Sequence, residues 1–156
     1  KLKKSPLSVN EVVTEAVKDF TSTLQDYPLQ IEFEEDPRSP ICSLAPLEFE
    51  LAVFNLLKNA KEALKAQKAD EPKLFIKLSS SETHCFVDIS DNGAVISDSD
   101  FERMGSVFKS GKASGLGIGL SIVRSIVQNH NGSLVLERGK NGGLVCRIRL
   151  PIFNAE

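Results

Sequence analysis

A two-layer α+β sandwich is the fold class this sequence predicts: a mixed, mainly antiparallel sheet with helices on one face. Three observations predict it. Apolar residues recur at helical spacing in three separated segments, around 9–25, 46–68 and 118–130. Strand-period segments come in neighbouring pairs joined by short polar links, as in Lys73–Ser79 followed by Cys85–Ser90. The regular strand–helix alternation of a doubly wound parallel sheet is absent. With 156 residues, 41% of them apolar, the chain has the size of one domain with a sizeable core. Residues 1–156 are therefore expected to form a single domain.

Ser8-Val9-Asn10-Glu11 reads as a capping box opening the first helix. Val9, Val12, Val13, Ala16, Val17, Phe20 and Leu24 then share one face, and Asp26-Tyr27-Pro28 ends it. Gln30–Glu35 alternates through Ile31 and Phe33 as a strand, and Ile41–Leu44 follows the turn at Pro37–Pro40 as a short one. Pro46 suits a first helical position. The next residues to 68 lack Pro and Gly and are rich in Leu, Ala, Glu and Lys. There Ala52, Val53, Leu56, Leu57, Ala60, Ala63 and Leu64 form an apolar arc flanked by Asn55, Asn59 and Glu62. Lys73–Ser79 and Cys85–Ser90 form a hairpin through Ser80–Thr83, and Asp91-Asn92-Gly93 breaks the second strand. Residues 97–117, rich in Ser and Gly, read as a short helix near 98–104 followed by a mobile loop. A helix from about 118 to 130 stops at Asn131-Gly132, and strands Ser133–Arg138 and Leu144–Leu150 close the chain.

Composition removes several function classes. Lys+Arg total 19 against 21 Asp+Glu, a formal net charge of −2. No global basic field exists to hold nucleic acid or an anionic membrane. Cys42, Cys85 and Cys146 are odd in number and widely spaced, which argues against a disulfide framework or a zinc finger and fits a reducing compartment. No apolar run approaches the roughly 18 residues of a membrane span. The absence of a signal peptide and of a starting Met predicts a piece of a longer protein. Asn131-Gly132-Ser133 matches a glycosylation sequon, but no secretory context accompanies it, and it reads as a helix stop.

Gly115-Leu116-Gly117-Ile118-Gly119-Leu120 is the densest glycine cluster and opens a helix. It fits a cradle of backbone N–H groups for phosphate, and equally a glycine-bent helix start. Its G-x-G-x-G spacing after a loop is not the dinucleotide fingerprint. Gly105 to Gly111-Lys112 is one residue too long for a P-loop, with Ala113 in place of the Mg²⁺-binding hydroxyl. Asn55 and Asn59 lie one helical turn apart, and Asn is a poor interior helix residue. They are either amides at the edge of the core or hard oxygen ligands for a Mg²⁺ that bridges phosphates.

Taken together, these motifs resemble a known family. Asn55-Leu56-Leu57-Lys58-Asn59-Ala60 resembles the N box of sensor histidine kinases, in the Bergerat-type ATPase superfamily shared with gyrase, heat-shock protein 90 and mismatch-repair ATPases. Asp91-Asn92-Gly93 resembles its first glycine box. Phe108, Ser110 and Lys112 resemble its F box and the polar end of its lid. Gly115–Leu120, running into Ser121-Ile122-Val123, resembles its second glycine box. The motifs keep the family's order over about residues 8–151.

The resemblance implies a Bergerat fold with a mobile ATP lid at about 95–117, and it implies ATP and Mg²⁺ as cofactors. Asn59 would bind Mg²⁺ through its amide oxygen, with Asn55 supporting the metal or the phosphates. Asp91 would accept from the adenine amino group, and Gly93 would let the backbone pass the base. Lys58 and Lys112 would contact phosphates, so that Asn55 and Lys58 are the catalytic candidates. Gly115, Gly117 and Gly119, with Leu116 and Ile118 between them, would cradle phosphate. Ile89, Ile96, Leu120 and Ile148 are expected as apolar walls.

Hydrolysing members of the superfamily carry a Glu where this chain has Asn55. A neutral amide cannot serve as general base near pH 7. The implied reaction is therefore transfer of the γ-phosphoryl group to a histidine of an upstream phosphoacceptor domain of the same protein, in a two-component system with a response regulator. The implied protein is a homodimer at full length and monomeric as this piece, with a cytoplasmic domain that contacts neither nucleic acid nor membrane. His84 and His130 stand outside any phosphoacceptor context and are read as structural. Rival readings are a serine kinase of the anti-sigma-factor type and a non-catalytic nucleotide-binding module. Val95 replaces the first glycine box's second glycine, Leu144-Val145 offers no hydroxyl, and Cys42-Ser43 replaces Gly-Asp. These departures predict weakened nucleotide affinity.

Overall fold

The computed structural model describes residues 3–110 and 116–154, with side chains throughout these except at 107–110 and 116–119. Strand β1 (Ser5–Ser8) leads into helix α1 (Val9–Thr21), then β2 (Gln30–Glu34), β3 (Ile41–Leu44) and helix α2 (Pro46–Ala66). The hairpin β4 (Lys73–Ser80) and β5 (His84–Asp91) follows, then helices α3 (Asp98–Ser110) and α4 (Leu116–Asn129), then β6 (Ser133–Arg138) and β7 (Leu144–Pro151). Five strands form one sheet in the order β2-β4-β5-β7-β6, with only the β2–β4 pair parallel. The fold is the mixed, mainly antiparallel α+β sandwich expected.

Period-2 alternation sends Leu74, Ile76 and Leu78 of β4, Cys85, Val87 and Ile89 of β5, and Cys146, Ile148 and Leu150 of β7 to one face, where all are buried. The register pairs Ile76 with Ile89 and Val87 with Ile148, so this stripe is continuous. Helix α2 covers it with Phe49, Ala52, Val53, Leu56, Leu57 and Leu64, flanked by α1 and α4. Phe20 of α1 meets Phe54 of α2 edge-to-face at 5.9 Å. Each fully buried large apolar side chain contributes about 1.5–3 kcal/mol. On the opposite face Arg147 forms a two-pronged pair with Asp88 directly across the strands, at 2.7 and 2.8 Å, and stacks over Phe86.

Three elements differ from expectation. Helix α1 stops at Thr21, short of residue 25. The hydroxyls of Thr21, Ser22 and Thr23 each bond back to a carbonyl three or four residues earlier, and Gln25 adopts φ 55. Such local bonds compete with helix continuation. Strand β1 lies outside the elements the periodicity predicts; it pairs antiparallel with β3 as a separate two-stranded sheet. Ser8 caps α1 by accepting from the Glu11 N–H at 3.3 Å. Helix α3 runs to Ser110 rather than ending near 104. Ser97 caps it, accepting from the Asp100 N–H, and Gly105 lies within it at a point where an added Cβ would meet nothing.

Helix α4 ends where expected, through Asn131 at φ 60. Gly132 serves close approach instead, since a Cβ there would lie 2.4 Å from the Arg149 carbonyl oxygen. His130 is buried between α4 and α2. Its Nε2 accepts the Ala45 N–H at 3.0 Å, which puts the ring proton on Nδ1, donating to the Ile126 carbonyl at 2.8 Å. The ring also packs against Phe49. Cys42, Cys85 and Cys146 are buried free thiols. Among the described residues no helix is long and apolar enough to cross a membrane. Replacing His130 with Ala should lower the unfolding free energy by about 2–4 kcal/mol in a urea titration, because it orphans a buried N–H and opens a cavity. His130→Gln, which keeps an acceptor, should lose less.

Candidate functional site

The second half of α2 turns Asn59, Ala60 and Ala63 toward the ends of β5 and β7. The small alanines leave space beside the sheet. A cavity of about 70 Å³ opens there, walled by Leu56, Ala60, Ala63, Ile89, Ile96, Met104, Leu120, Leu144 and Cys146. That is several times the roughly 10–15 Å³ that one water needs. The polar side chains lining it are Asn59, Asp91 and Gln67, and Gly143 adds backbone.

Asp91 ends β5 at the base of this cavity. Its Oδ1 accepts the Gly93 N–H at 2.8 Å, and its Oδ2 lies 3.4 Å from the Leu144 N–H. Burial raises its pKa above the ordinary 3.8, and those two N–H groups offset the rise in part. Gly93 leaves room for both side chains: an added Cβ would stand 2.8 Å from both Asp91 Oδ1 and Gln67 Oε1 and would displace them. Burial also pushes the Cys146 thiol up to about 12, with the Asp91 charge adding to the effect, so this wall stays neutral.

The turn after Asp91 is held from two sides. Asn92 Oδ1 accepts from Lys73 N–H at 2.8 Å, and its Nδ2 donates to the Glu71 carbonyl at 2.8 Å. On the other side the β6–β7 hairpin docks backbone to backbone, with the Gly143 N–H on the Ala94 carbonyl at 2.9 Å. Gly143 has φ +75, and a Cβ there would lie 2.2 Å from the Asp91 carbonyl oxygen. Gly142 has φ +121, and its Cβ would lie 2.4 Å from the Gly93 carbonyl oxygen. Only glycine fits either position. Val95 is 80% exposed and stays outside the left-handed region, so its β-branch meets no backbone demand. Arg138 of β6 then anchors the start of α3, bonding the Ile96 carbonyl at 3.1 Å and Asp98 at 2.6 Å while stacking on Phe101.

The residues singled out in the sequence divide as follows. Asn59, Asp91, Ile89, Ile96 and Leu120 line the cavity, and Gly93 lines a neighbouring surface groove that shares Gln67 with it. The Asn59 Nδ2 is buried with no hydrogen-bond partner. Asn55 does not line the cavity, and its Nδ2 donates to the Leu51 carbonyl of its own helix at 2.8 Å. Lys58 is exposed on α2. Ile148 lies wholly inside the core. Phe108 and Ser110 belong to α3, and Leu116, Gly117, Ile118 and Gly119 to the first turn of α4. The side chains of these six residues lie outside those described, as do Lys112 and Gly115 entirely. Sequence reasoning missed Gln67, Met104, Gly143 and Cys146. Only Gln67 left a signal, since Asn59, Ala63 and Gln67 repeat at four-residue spacing.

No group of His, Cys, Asp and Glu that could hold a metal occurs among the described residues. A hard cation beside Asn59 would draw most of its oxygen ligands from phosphate and water, as Mg²⁺ does in nucleotide sites. Asn59 would supply one of them through its Oδ1, while its buried, unpaired Nδ2 is a donor suited to an acceptor such as a phosphate oxygen.

Residues 45–154 match the family model described as histidine kinase-, DNA gyrase B-, and HSP90-like ATPase. The sensor protein TdiS of Thauera aromatica is 26% identical over 151 residues, 96% of this chain and 28% of that protein. The sensor protein FixL of Bradyrhizobium diazoefficiens is 27% identical over 92% of this chain and 28% of its own length. This chain thus spans less than a third of these relatives. Among solved structures, the catalytic domain of histidine kinase ThkA superposes with a TM-score of 0.81 at 24% identity, covering 97% of both chains. ThkA in complex with the response regulator TrrA gives a TM-score of 0.79 over 97% of this chain and 42% of that one. The chain belongs to the histidine kinase-, DNA gyrase B- and HSP90-like ATPase family, among the ATP-binding domains of sensor histidine kinases.

Proposed function

We propose that this domain binds Mg-ATP in the Asp91 cavity and donates the γ-phosphoryl group to a histidine on a phosphoacceptor domain, for relay to a response regulator. The observation that carries this reading is a half-buried carboxylate at the base of an apolar slot, with the unpaired Asn59 N–H on its wall. A purine amino group satisfies the carboxylate, and burying the ring covers the apolar walls. Asn59 holds the Mg²⁺, whose charge offsets that of the phosphates. Leu120 and Met104 exclude water from the base. Lys58 and Lys112 reach the phosphates, and the first turn of α4 offers its N–H groups to them.

The nucleophile is not water. Asn55 is neutral and tied into its own helix, so no side chain of α2 at that point takes a proton from water. The phosphorus–oxygen bond to ADP breaks as a phosphorus–nitrogen bond to histidine forms, and catalysis rests on positioning. The acceptor histidine lies on another domain, because His130 is consumed by structural bonds and His84 by the β4–β5 turn. The ThkA–TrrA complex supports a response regulator as the second partner. This reading sets the domain in the cytoplasm, where ATP is available, as part of a full-length homodimer.

Full-length protein given labelled ATP should acquire an acid-labile, base-stable phosphoryl group. An acid-stable adduct would indicate serine transfer instead, and no adduct in a folded protein would indicate a binding module. Asn59→Ala should abolish Mg²⁺-dependent ATP binding in calorimetry while leaving the circular dichroism spectrum unchanged; ATP binding at wild-type strength would refute its role as ligand. ATP affinity should fall on acidification as pH drops through the raised pKa of Asp91, and Asp91→Asn should flatten that profile. The stability linkage has the opposite sense. Because the native state holds the Asp91 proton more tightly than the unfolded chain, this group's contribution to stability is largest at low pH. It declines as pH rises through the native pKa.

A further inference from the structure

We propose that Gln67 is a second base-reading side chain, donating from Nε2 to a ring nitrogen of adenine beside the amino group that Asp91 accepts. The inference rests on the reading of the cavity as an ATP site.

Gln67 is the C-cap of α2, one turn beyond Ala63, and it lines the cavity beside Asp91. Its Oε1 accepts the Ala94 N–H at 2.8 Å. That bond fixes which end of the amide is which, because the nitrogen cannot accept from an N–H. Nε2 forms no hydrogen bond with the described residues. The amide and the Asp91 carboxylate also flank the same point of the chain. A Cβ on Gly93 would stand 2.8 Å from Asp91 Oδ1, 2.8 Å from Gln67 Oε1 and 3.3 Å from Gln67 Nε2. An acceptor and an oriented donor therefore sit side by side at one end of a slot that is otherwise mostly apolar.

Adenine presents the complement of this pair. Its amino group donates, and a ring nitrogen on either side of that group accepts. A base with a carbonyl in place of the amino group would set oxygen against the Asp91 carboxylate. Burying a ring nitrogen in the slot without a donor would leave it unsatisfied, and Gln67 is placed to prevent that. The same side chain has a positioning role through Ala94, so a test must separate the two.

ADP, 1-deaza-ADP and 7-deaza-ADP would be titrated calorimetrically into the wild-type domain, Gln67→Met and Gln67→Ala. The expected result is about tenfold weaker ADP binding in both variants, with one deaza analogue bound equally by wild type and variants, since it lacks the nitrogen that Gln67 meets. A tenfold factor corresponds to one net hydrogen bond of about 1.4 kcal/mol. If all three ligands weaken by the same factor, Gln67 only positions the turn and the inference is overturned. Unchanged ADP binding in both variants overturns it as well. If the wild-type domain binds no ADP, the ATP-site reading itself fails and takes the inference with it.

Discussion

Burial of one face of α2 against the sheet is the constraint from which the rest follows. Phe49, Ala52, Val53, Leu56, Leu57 and Leu64 fix its rotation about its axis. Once that rotation is set, the stripe Asn59, Ala63 and Gln67 must face the ends of β5 and β7. The alanines at 60 and 63 then decide that this edge of the core is a cavity rather than packed side chains. A single helix thus supplies a large share of the core and, along its edge, the Asn59 and Gln67 amides of the site.

The cavity carries unsatisfied chemistry. A buried amide N–H without a partner costs about 1–3 kcal/mol, and Asn59 bears that cost. Asp91 is held as a carboxylate in a place where burial disfavours its charge. Both are local concessions in a domain whose sheet and helices otherwise follow their propensities, a pattern characteristic of working sites. The frame around them is rigid: main-chain bonds at Ala94 and side-chain bonds from Asn92 hold the Asp91 turn between β4 and the β6–β7 hairpin.

Periodicity made the long elements legible. The 21-residue α2 and the alternation of Leu74, Ile76 and Leu78 against Cys85, Val87 and Ile89 carry their partners in their patterns. The four residues of β1 include Pro6 and show no alternation, and only pairing with β3 makes them a strand. The length of α3 was hidden by Gly105, a poor helix former that the helix nonetheless includes. Asp91 and Asn59 were readable because each sits in a local motif. Gly143, Cys146 and Met104 reach the cavity from strands and a helix far away in sequence, and no local pattern encodes such convergence.

The cradle of Asp91 is closed by the main chains of Ala94 and Gly143, so its tolerance to mutation is uneven. Changing the side chain at Ala94 or Leu144 leaves the bonding atoms in place, and Val95 projects into solvent. Among the glycines of this turn and hairpin, Gly139, Gly142 and Gly143 are the most constrained, because a single added carbon at each meets the backbone. Drift in this part of the protein is therefore channelled: where only main-chain atoms do the bonding, the side chain is free to vary, and where the main chains meet, nothing larger than hydrogen fits.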